Sequence, residues 1–220
     1  MEYTCIRVDR ADNNLPAQAR KYKDLRLAAL KQSPTSFSST YEIEAAFSDS
    51  IWLSRLSEPS KETFVCVALS AAPNVKEEWV AQVTLLGPIP TSSYTLPDEA
   101  GQPHVLPDDE EQKWQMLSLF TLPTHRGQGL GKKLCQEAFK FLTAVERSSP
   151  SKVRVRIMVK PENHITLGLY GSLGFKEAGR CTLAEALRAN GDAAMLPSGE
   201  LGEKYTKRSG IIMDLALDRN

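Results

Sequence analysis

Glycine alternates with other residues at a junction between a segment typical of a strand and one typical of a helix. The junction reads Leu122-Pro123-Thr124-His125-Arg126-Gly127-Gln128-Gly129-Leu130-Gly131-Lys132-Lys133, and apolar residues at helical spacing follow it. The first N–H groups of a helix have no partner inside the helix, and the helix dipole adds partial positive charge there. Glycine lets the main chain approach an anion closely. The junction therefore predicts a phosphate site built mainly from backbone amides, with basic side chains nearby.

Two other phosphate-binding motifs do not fit this spacing. A dinucleotide fingerprint needs Gly-x-Gly-x-x-Gly, whereas the glycines here stand at Gly127, Gly129 and Gly131. A P-loop needs Gly-Lys-Ser/Thr, whereas Gly131 precedes two lysines. A glycine turn with a purely structural role and a nucleotide-binding domain of another kind remain as alternatives.

The pattern Arg126-x-x-Gly129-x-Gly131 resembles the pyrophosphate-binding motif of the GCN5-related N-acetyltransferases, the GNAT superfamily. The second half of that family's signature follows in the same order, as Asn163 and then Leu169-Tyr170-x-x-x-Gly174-Phe175. The helices expected near Tyr22 and Trp52 are similar to the family's first two helices, so the resemblance covers nearly the whole chain. One glycine motif is weakly specific, but the pair at this spacing is strongly specific.

The resemblance implies a fold and an activity. The fold class is α/β (α+β), a single GNAT-like domain over residues 1–220 whose central, mostly antiparallel sheet is splayed at the cofactor cleft and flanked by about four helices. The implied cofactor is acetyl-CoA (coenzyme A). The implied reaction transfers its acetyl group to a primary amine of a small molecule, peptide or protein by direct attack in a ternary complex. The alternative is a non-catalytic acyl-CoA-binding module of the same fold.

The resemblance also implies site residues, carried over by position. Backbone groups around Phe120, Thr121 and Leu122 would pair with the pantetheine arm, and a backbone N–H near Leu122 could stabilise the oxyanion. Asn163 would face the pantetheine or a nearby backbone group. Tyr170 would be the catalytic acid, giving a proton to the leaving thiolate. The residues expected around the pyrophosphate are Arg126, Gly127, Gln128, Gly129, Leu130, Gly131 and Lys132.

The general base is not evident from the sequence. An alkylamine is mostly protonated at neutral pH, so a base or a water relay is needed to free its lone pair. Some family members carry a glutamate early in the strand before the glycine motif, where this chain has Gln115, Met116 and Leu117. We expect a water-mediated base, with His125 and His164 on the surface. The titratable residues considered are Glu42, Glu110, Glu111, His125 and His164.

Hydrophobic periodicity predicts the elements that position these residues. Strands are expected over 3–8, 64–69, 79–86, 114–122, 152–159, 175–182 and 211–217. Helices are expected over 16–30, 39–56 with a break near Asp49, 130–145 and 163–173, with a helical turn at 183–188. The pattern Ser39-x-x-Glu42 predicts a capping box. Alternating apolar and basic residues over 152–159 predict a half-exposed strand.

Residues 87–112 form a long irregular stretch rich in proline, serine and acidic residues. The composition favours a solvated surface excursion, and a flap over the acceptor site is the functional alternative. The acceptor site is expected between the first two helices, this excursion and the loop before Ile211. Its aromatic wall candidates, each otherwise a plain packing residue, are Phe37, Tyr41, Trp52 and Tyr94.

Charge and cysteine usage limit the partners. The 27 basic and 27 acidic residues balance, so no global field would attract nucleic acid or an anionic membrane. The cysteines Cys5, Cys66, Cys135 and Cys181 are far apart, without metal-ligand spacing, and are expected to be small buried hydrophobes. No signal segment or membrane-spanning stretch is evident. We expect a soluble cytoplasmic protein, a monomer or a homodimer, with no bound metal.

Overall fold

The computed structural model describes residues 2–69, 77–144 and 150–219. The chain forms two compact units, one of Met1–Leu85 with Ser118–Lys140 and one of Leu86–Leu117 with Phe141–Asn220. Strand β4 (Glu111–Thr121) contributes its first residues to the second unit and its last residues to the first.

The first unit packs helices on a sheet with strand order β1-β2-β3-β4. Its strands are β1 (Glu2–Arg7), β2 (Lys61–Leu69), β3 (Glu78–Leu86) and the end of β4. Its helices are α1 (Leu15–Gln32), α2 (Tyr41–Ala45), α3 (Asp49–Ser57) and the first part of α5 (Leu130–Thr143). The core lies where Tyr22 and Leu25 of α1 and Trp52 of α3 pack against Val65 and Val67 of β2.

The second unit has strand order β4-β5-β7-β6. Its strands are the start of β4, β5 (Lys152–Val159), β6 (Lys176–Thr182) and β7 (Arg208–Asp218), and its helices are α4 (Thr91–Tyr94), α6 (His164–Ser172), α7 (Leu183–Ala189) and α8 (Glu203–Thr206). β4 and β5 run parallel, whereas β7 is antiparallel to β5 and β6. The parallel ladder ends at the pair Gln115–Arg156, although β4 continues to Thr121.

The predicted α/β fold is confirmed. All seven predicted strands form, and β5 has the predicted bounds. Four of the helices in the described part of the chain are nine residues or longer, namely α1, α3, α5 and α6. The predicted end of the third long helix, Val145, lies outside the described residues. None of the described helices is both long and apolar enough to cross a bilayer.

The predicted capping box at Ser39 is wrong by one residue. Helix α2 begins at Tyr41, and its N-cap is Thr40, whose side chain accepts a hydrogen bond from the Ile43 N–H. Both residues are of types that cap helices, so the sequence pattern alone could not choose between them. Ser39 is instead buried.

The prediction that β5 is half exposed is also wrong. Arg156 is 1% exposed because the 87–112 excursion covers this strand. Its guanidinium donates to the backbone carbonyl of Tyr94 and lies 3.8 Å from the centre of that ring. Arg154 is half buried and pairs with Glu111 at 3.0 Å. The excursion therefore supplies part of the interior of the second unit, through residues such as Tyr94, Ala100 and Val105.

Two of the cysteines are bonded to each other. Cys5 of β1 lies directly opposite Cys66 of β2, with 4.1 Å between their Cα atoms, and the two form a disulfide. The expectation of four unbonded cysteines is therefore wrong for this pair, because strand register brings together residues that are 61 positions apart. Cys135 and Cys181 are free and buried, as expected. Disulfides are uncommon in a reducing cytosol, so the expected cytoplasmic location stays a prediction.

We predict that reducing this disulfide lowers the free energy of unfolding by about 4 kcal/mol, since the bond restricts a long loop in the unfolded chain. Urea denaturation with and without dithiothreitol measures the difference. The double variant Cys5→Ser/Cys66→Ala should not respond to the reductant. Unreduced protein in denaturant should show the two thiols of Cys135 and Cys181. A count of four free thiols, one for each cysteine in the sequence, would contradict the disulfide.

Candidate cofactor-binding site

The glycine motif connects the end of β4 to the start of α5. After Thr121 the chain makes a short 3-10 turn over Pro123–His125, and α5 begins at Leu130. Gly127 and Gly129 have φ values of +77° and +72°, a left-handed conformation that other residues rarely adopt. The Gly129 carbonyl accepts the first helical hydrogen bond, from the Lys133 N–H. The next amides, those of the first helical turn, point out of the start of α5.

This loop is open on its outer side, which is the condition for a ligand to reach the main chain. A Cβ atom added to Gly127 or Gly129 would meet no atom within 4 Å. The side chains of Arg126, Gln128 and Lys132 are exposed. Between Leu122 and Gln136 the sequence has no acidic residue, so the local charge is positive. The loop therefore fits a diphosphate held by backbone amides.

Arg126 turns toward β4. Its Nε donates to the Thr121 carbonyl at 3.1 Å, and a terminal nitrogen donates to the Ser33 hydroxyl at 3.3 Å. The guanidinium also lies 5.7 Å from the centre of the Phe120 ring. The arginine of the motif thus links the end of α1 and the end of β4 to the loop.

The last residues of β4 differ in the direction of their backbone groups. The Leu122 N–H donates to the Val80 carbonyl of β3 at 2.8 Å, so this group is already paired. The Thr121 carbonyl accepts from a side chain, that of Arg126. The Phe120 side chain is buried and contacts the Phe37 ring, with 6.1 Å between the ring centres. Because the backbone groups of successive strand residues alternate between the two edges, those of Thr121 point to the edge of β4 opposite Val80.

His125 is not a solvent-facing loop residue, contrary to expectation. It is 8% exposed, and a 3.1 Å hydrogen bond joins its Nδ1 to the Tyr3 hydroxyl of β1. The two rings meet edge to face at 5.8 Å, and Nε2 lies 3.9 Å from the Glu78 carboxylate. His125 therefore anchors the turn before the glycine motif to the sheet. His164 is exposed, as expected.

The second motif lies in the second unit. Asn163 is the N-cap of α6, and its side-chain carbonyl accepts a hydrogen bond from the Thr166 N–H at 3.3 Å. Tyr170 lies in the last turns of α6, is 4% exposed, and packs edge to face on Phe175 with 5.3 Å between the ring centres. The N–H of Phe175 donates to the Tyr170 carbonyl, which fixes the end of the helix. The side-chain amide NH₂ of Asn163 is not needed for the cap.

Most of the carboxylates considered as bases are exposed or paired. Glu111 is 3% exposed and accepts from Arg154 and from the Leu106 N–H. Glu42 and Glu110 are exposed. A backbone hydrogen bond and the Thr40 hydroxyl lower the pKa of Glu42. Gln115, at the strand position where related enzymes can carry a glutamate, accepts from Arg156 at 2.8 Å.

Two of the four aromatic wall candidates are interior residues. Trp52 is 1% exposed and belongs to the core of the first unit, and Tyr94 is fully buried beside Arg156. Phe37 and Tyr41 are partly exposed, so they remain candidates for an acceptor wall.

The first unit contains a buried ion cluster that no sequence pattern predicts. Arg26 of α1 binds both oxygens of Glu44 of α2, at 3.0 and 2.6 Å, and Arg55 of α3 binds the same carboxylate at 3.1 Å. Glu44 is fully buried. Burial acts to raise the pKa of Glu44, but the hydrogen bonds and charges of the two arginines outweigh it and hold the pKa below its usual value. Only the fold brings these three helices together.

Comparison with known proteins supports the reading of the two motifs. A family model described as the acetyltransferase (GNAT) domain matches residues 97–177, which include both motifs. A GNAT-family acetyltransferase from Streptococcus pneumoniae has the same fold, with a TM-score of 0.58, 15% identity, and coverage of 98% of this chain and 99% of that one. No curated protein sequence matches this chain.

NAA60 from Arabidopsis thaliana is similar in fold as well. Its complex with a bisubstrate analogue gives a TM-score of 0.56 at 14% identity, covering 98% of this chain and 100% of that one. Its complex with acetyl-CoA gives 0.56 at 14% identity, covering 98% and 99%. At such identities the structural likeness is one of fold. With the match of the GNAT domain model to residues 97–177, this likeness of fold confirms the resemblance to the GNAT acetyltransferases.

We predict that Glu44→Gln lowers the free energy of unfolding by about 3 kcal/mol at pH 7, because it leaves the buried Arg26 and the partly buried Arg55 without their counter-charge. The folded-state pKa of Glu44 is depressed, so its stabilising effect is present above the unfolded-state pKa and is lost as pH falls through the folded-state pKa. The gap between wild type and variant should therefore narrow below about pH 4.

Urea denaturation between pH 3 and 8 measures this gap. The control is Glu77→Gln, which removes an exposed pair with Lys21 at 3.7 Å and should have no measurable effect. A gap that stays constant with pH would mean that Glu44 is not ionised in the folded protein.

Proposed function

We propose that the protein is an N-acetyltransferase that moves the acetyl group of acetyl-CoA to a primary amine of a small molecule, peptide or protein. The proposal depends above all on the open loop at Gly127 and Gly129, whose left-handed glycines precede the start of α5. The complex of NAA60 with a bisubstrate analogue, a protein of the same fold, adds support for an acceptor bound together with the donor.

The donor is held mainly by main chain. Backbone amides of Gly127 to Lys132 bind the diphosphate of coenzyme A, and Arg126, Lys132 and Lys133 contribute positive charge. Thr121 precedes the residue that pairs with Val80 and so faces the other edge of β4, where it offers backbone groups to the pantetheine arm. Asn163 contributes its side-chain NH₂, since its carbonyl caps α6.

Acetyl-CoA supplies an activated acetyl thioester. The amine nitrogen, as a free base, forms a bond to the carbonyl carbon, and the carbon–sulfur bond breaks as the electron pair leaves with sulfur. The amine nitrogen loses one proton and the thiolate gains one, so the products are an acetamide and coenzyme A. Backbone N–H groups at the end of β4 stabilise negative charge on the carbonyl oxygen.

Tyr170 gives the proton to the thiolate. This role is supported by its position in the motif Leu169-Tyr170-x-x-x-Gly174-Phe175 and by its rigid packing near the end of α6. Water removes the amine proton, because the carboxylates considered are exposed or, like Glu111, held in an ion pair. The amine then needs only to be desolvated and oriented.

We predict that Gly129→Glu abolishes coenzyme A binding, because its carboxylate would stand at the phosphate position. Isothermal titration with coenzyme A measures the dissociation constant. The matched control is Gly101→Glu, since Gly101 has a similar φ of +65° and equally open surroundings but lies in the 87–112 excursion. Both variants introduce a strained residue and one negative charge. Unchanged affinity in Gly129→Glu would contradict the phosphate site.

We also predict that Tyr170→Phe lowers kcat by about 100-fold and changes the acetyl-CoA KM little, as expected for loss of an acid that acts in the transition state. Release of free coenzyme A thiol, followed with a panel of amines, measures both constants. The wild type should release thiol only when an amine is present. Binding of acetyl-CoA without acetyl transfer to any amine would favour a non-catalytic module.

A further inference from the structure

Ser118 of β4 has an unusual backbone conformation. Its φ is +59°, and within residues 2–69, 77–144 and 150–219 no other residue except glycine has a positive φ. A side chain makes this conformation unfavourable, so it persists only where the surrounding structure imposes it. Such residues are concentrated at functional sites. Ser118 lies within an extended strand, three residues before Thr121, whose carbonyl accepts from the Arg126 side chain.

Arg26 is the residue that contacts the Ser118 side chain. One terminal nitrogen of its guanidinium donates to the Ser118 hydroxyl at 3.5 Å, while Nε and the other terminal nitrogen bind Glu44. The guanidinium also lies 4.6 Å from the centre of the Phe37 ring. Arg26 and Glu44 side chains are 5% and 0% exposed. Because the guanidinium is planar, its bidentate bond to Glu44 fixes the direction of the nitrogen that faces Ser118.

The conformation of Ser118 decides which way the following backbone groups point. Successive residues of a strand direct their N–H and C=O groups to opposite edges, and a residue with positive φ resets that alternation. After Ser118, Leu122 pairs with Val80 of β3, whereas Thr121 accepts from Arg126. By the same alternation Leu119 points to the edge that Thr121 uses.

We propose that Arg26, held by Glu44, is a positioning residue for the acetyl transfer. It keeps Ser118 in the left-handed conformation and thereby directs the backbone groups of Leu119 and Thr121 to the edge of β4 that receives the thioester and the pantetheine. The inference rests on the proposed function. It adds a residue outside both sequence motifs, on a different helix, that acts through the strand backbone.

The test is a set of variants that separate the conformation of Ser118 from the stability of the fold. Arg26→Lys keeps a positive charge beside Glu44, but a single ammonium cannot bind Glu44 bidentately and also reach Ser118. We expect kcat to fall by about tenfold in Arg26→Lys and in Ser118→Ala, with the coenzyme A dissociation constant changed less than about threefold.

Ser118→Gly supplies the decisive comparison. Glycine adopts positive φ without strain, so the double variant Arg26→Lys/Ser118→Gly should recover kcat to within about twofold of Ser118→Gly alone. A kcat loss that glycine does not restore would mean that Arg26 serves only helix packing and would overturn the proposal, as would full activity in Arg26→Lys. The control is Lys23→Met on the same helix, which removes the pair with Asp49 and should leave kcat unchanged.

Crystal structures of the wild type and of Arg26→Lys test the same inference without an activity measurement. Ser118 should keep its positive φ in the wild type and become extended in the variant; the same φ in both would overturn the proposal. Absence of acetyl transfer by the wild type to any amine would instead refute the proposed function. The two failures are therefore distinguishable.

Discussion

Backbone N–H and C=O groups at the end of β4 and the start of α5 are the groups on which the proposed cofactor site depends. A buried backbone group left unpaired is costly, so each one needs a partner or access to solvent or ligand. The parallel ladder between β4 and β5 ends at Gln115, although β4 runs on to Thr121. The first N–H groups of α5 have no carbonyl acceptor within the helix. The edge of β4 and the start of α5 follow each other directly in sequence. A ligand that carries amide groups at one end and a diphosphate at the other can satisfy both kinds of group, which is the chemistry of coenzyme A.

Each unit also buries a guanidinium, and the two are stabilised differently. Arg26 binds the ionised Glu44, so charge compensates charge and the geometry is fixed by two parallel hydrogen bonds. Arg156 has neutral partners, the Gln115 side chain and the backbone carbonyl and ring of Tyr94, and burial lowers its pKa. A buried ion pair contributes little net stability compared with apolar packing, but breaking it is costly. The Arg26–Glu44 pair therefore fixes the orientation of the Arg26 guanidinium. A strained residue such as Ser118 requires a partner held in one position in this way.

Helices and strands with a local sequence pattern can be predicted from the sequence. Features that depend on how two strands pair, or on which segment covers a strand, cannot. The bounds of strand β5 can be predicted because its apolar alternation is complete. Its arginines are expected at the surface, since nothing in 152–159 reveals that Tyr94 covers Arg156. The disulfide required the register of β1 on β2, which places Cys5 opposite Cys66. The glycine motif can be identified from the sequence because left-handed glycines before a helix have a recognisable spacing. The Ser118 conformation and the Arg26–Glu44 pair have none, because ordinary residues adopt them only under tertiary constraint.

The absence of a strand carboxylate near Gln115 follows from the surroundings of that residue. Gln115 accepts from Arg156 and donates to the side chain of Asn190, at 3.1 Å, so both ends of its amide are used. A glutamate there would lose the donated hydrogen bond and would sit beside a buried guanidinium. That charge would favour the ionised carboxylate and depress its pKa, which makes it a weaker proton acceptor. An amine that attacks a thioester passes its proton on as the new bond forms, and a base of very low pKa gives little driving force for this step. A neutral Gln115 therefore suits a site in which Arg156 orders the interior of the second unit and water carries the amine proton away.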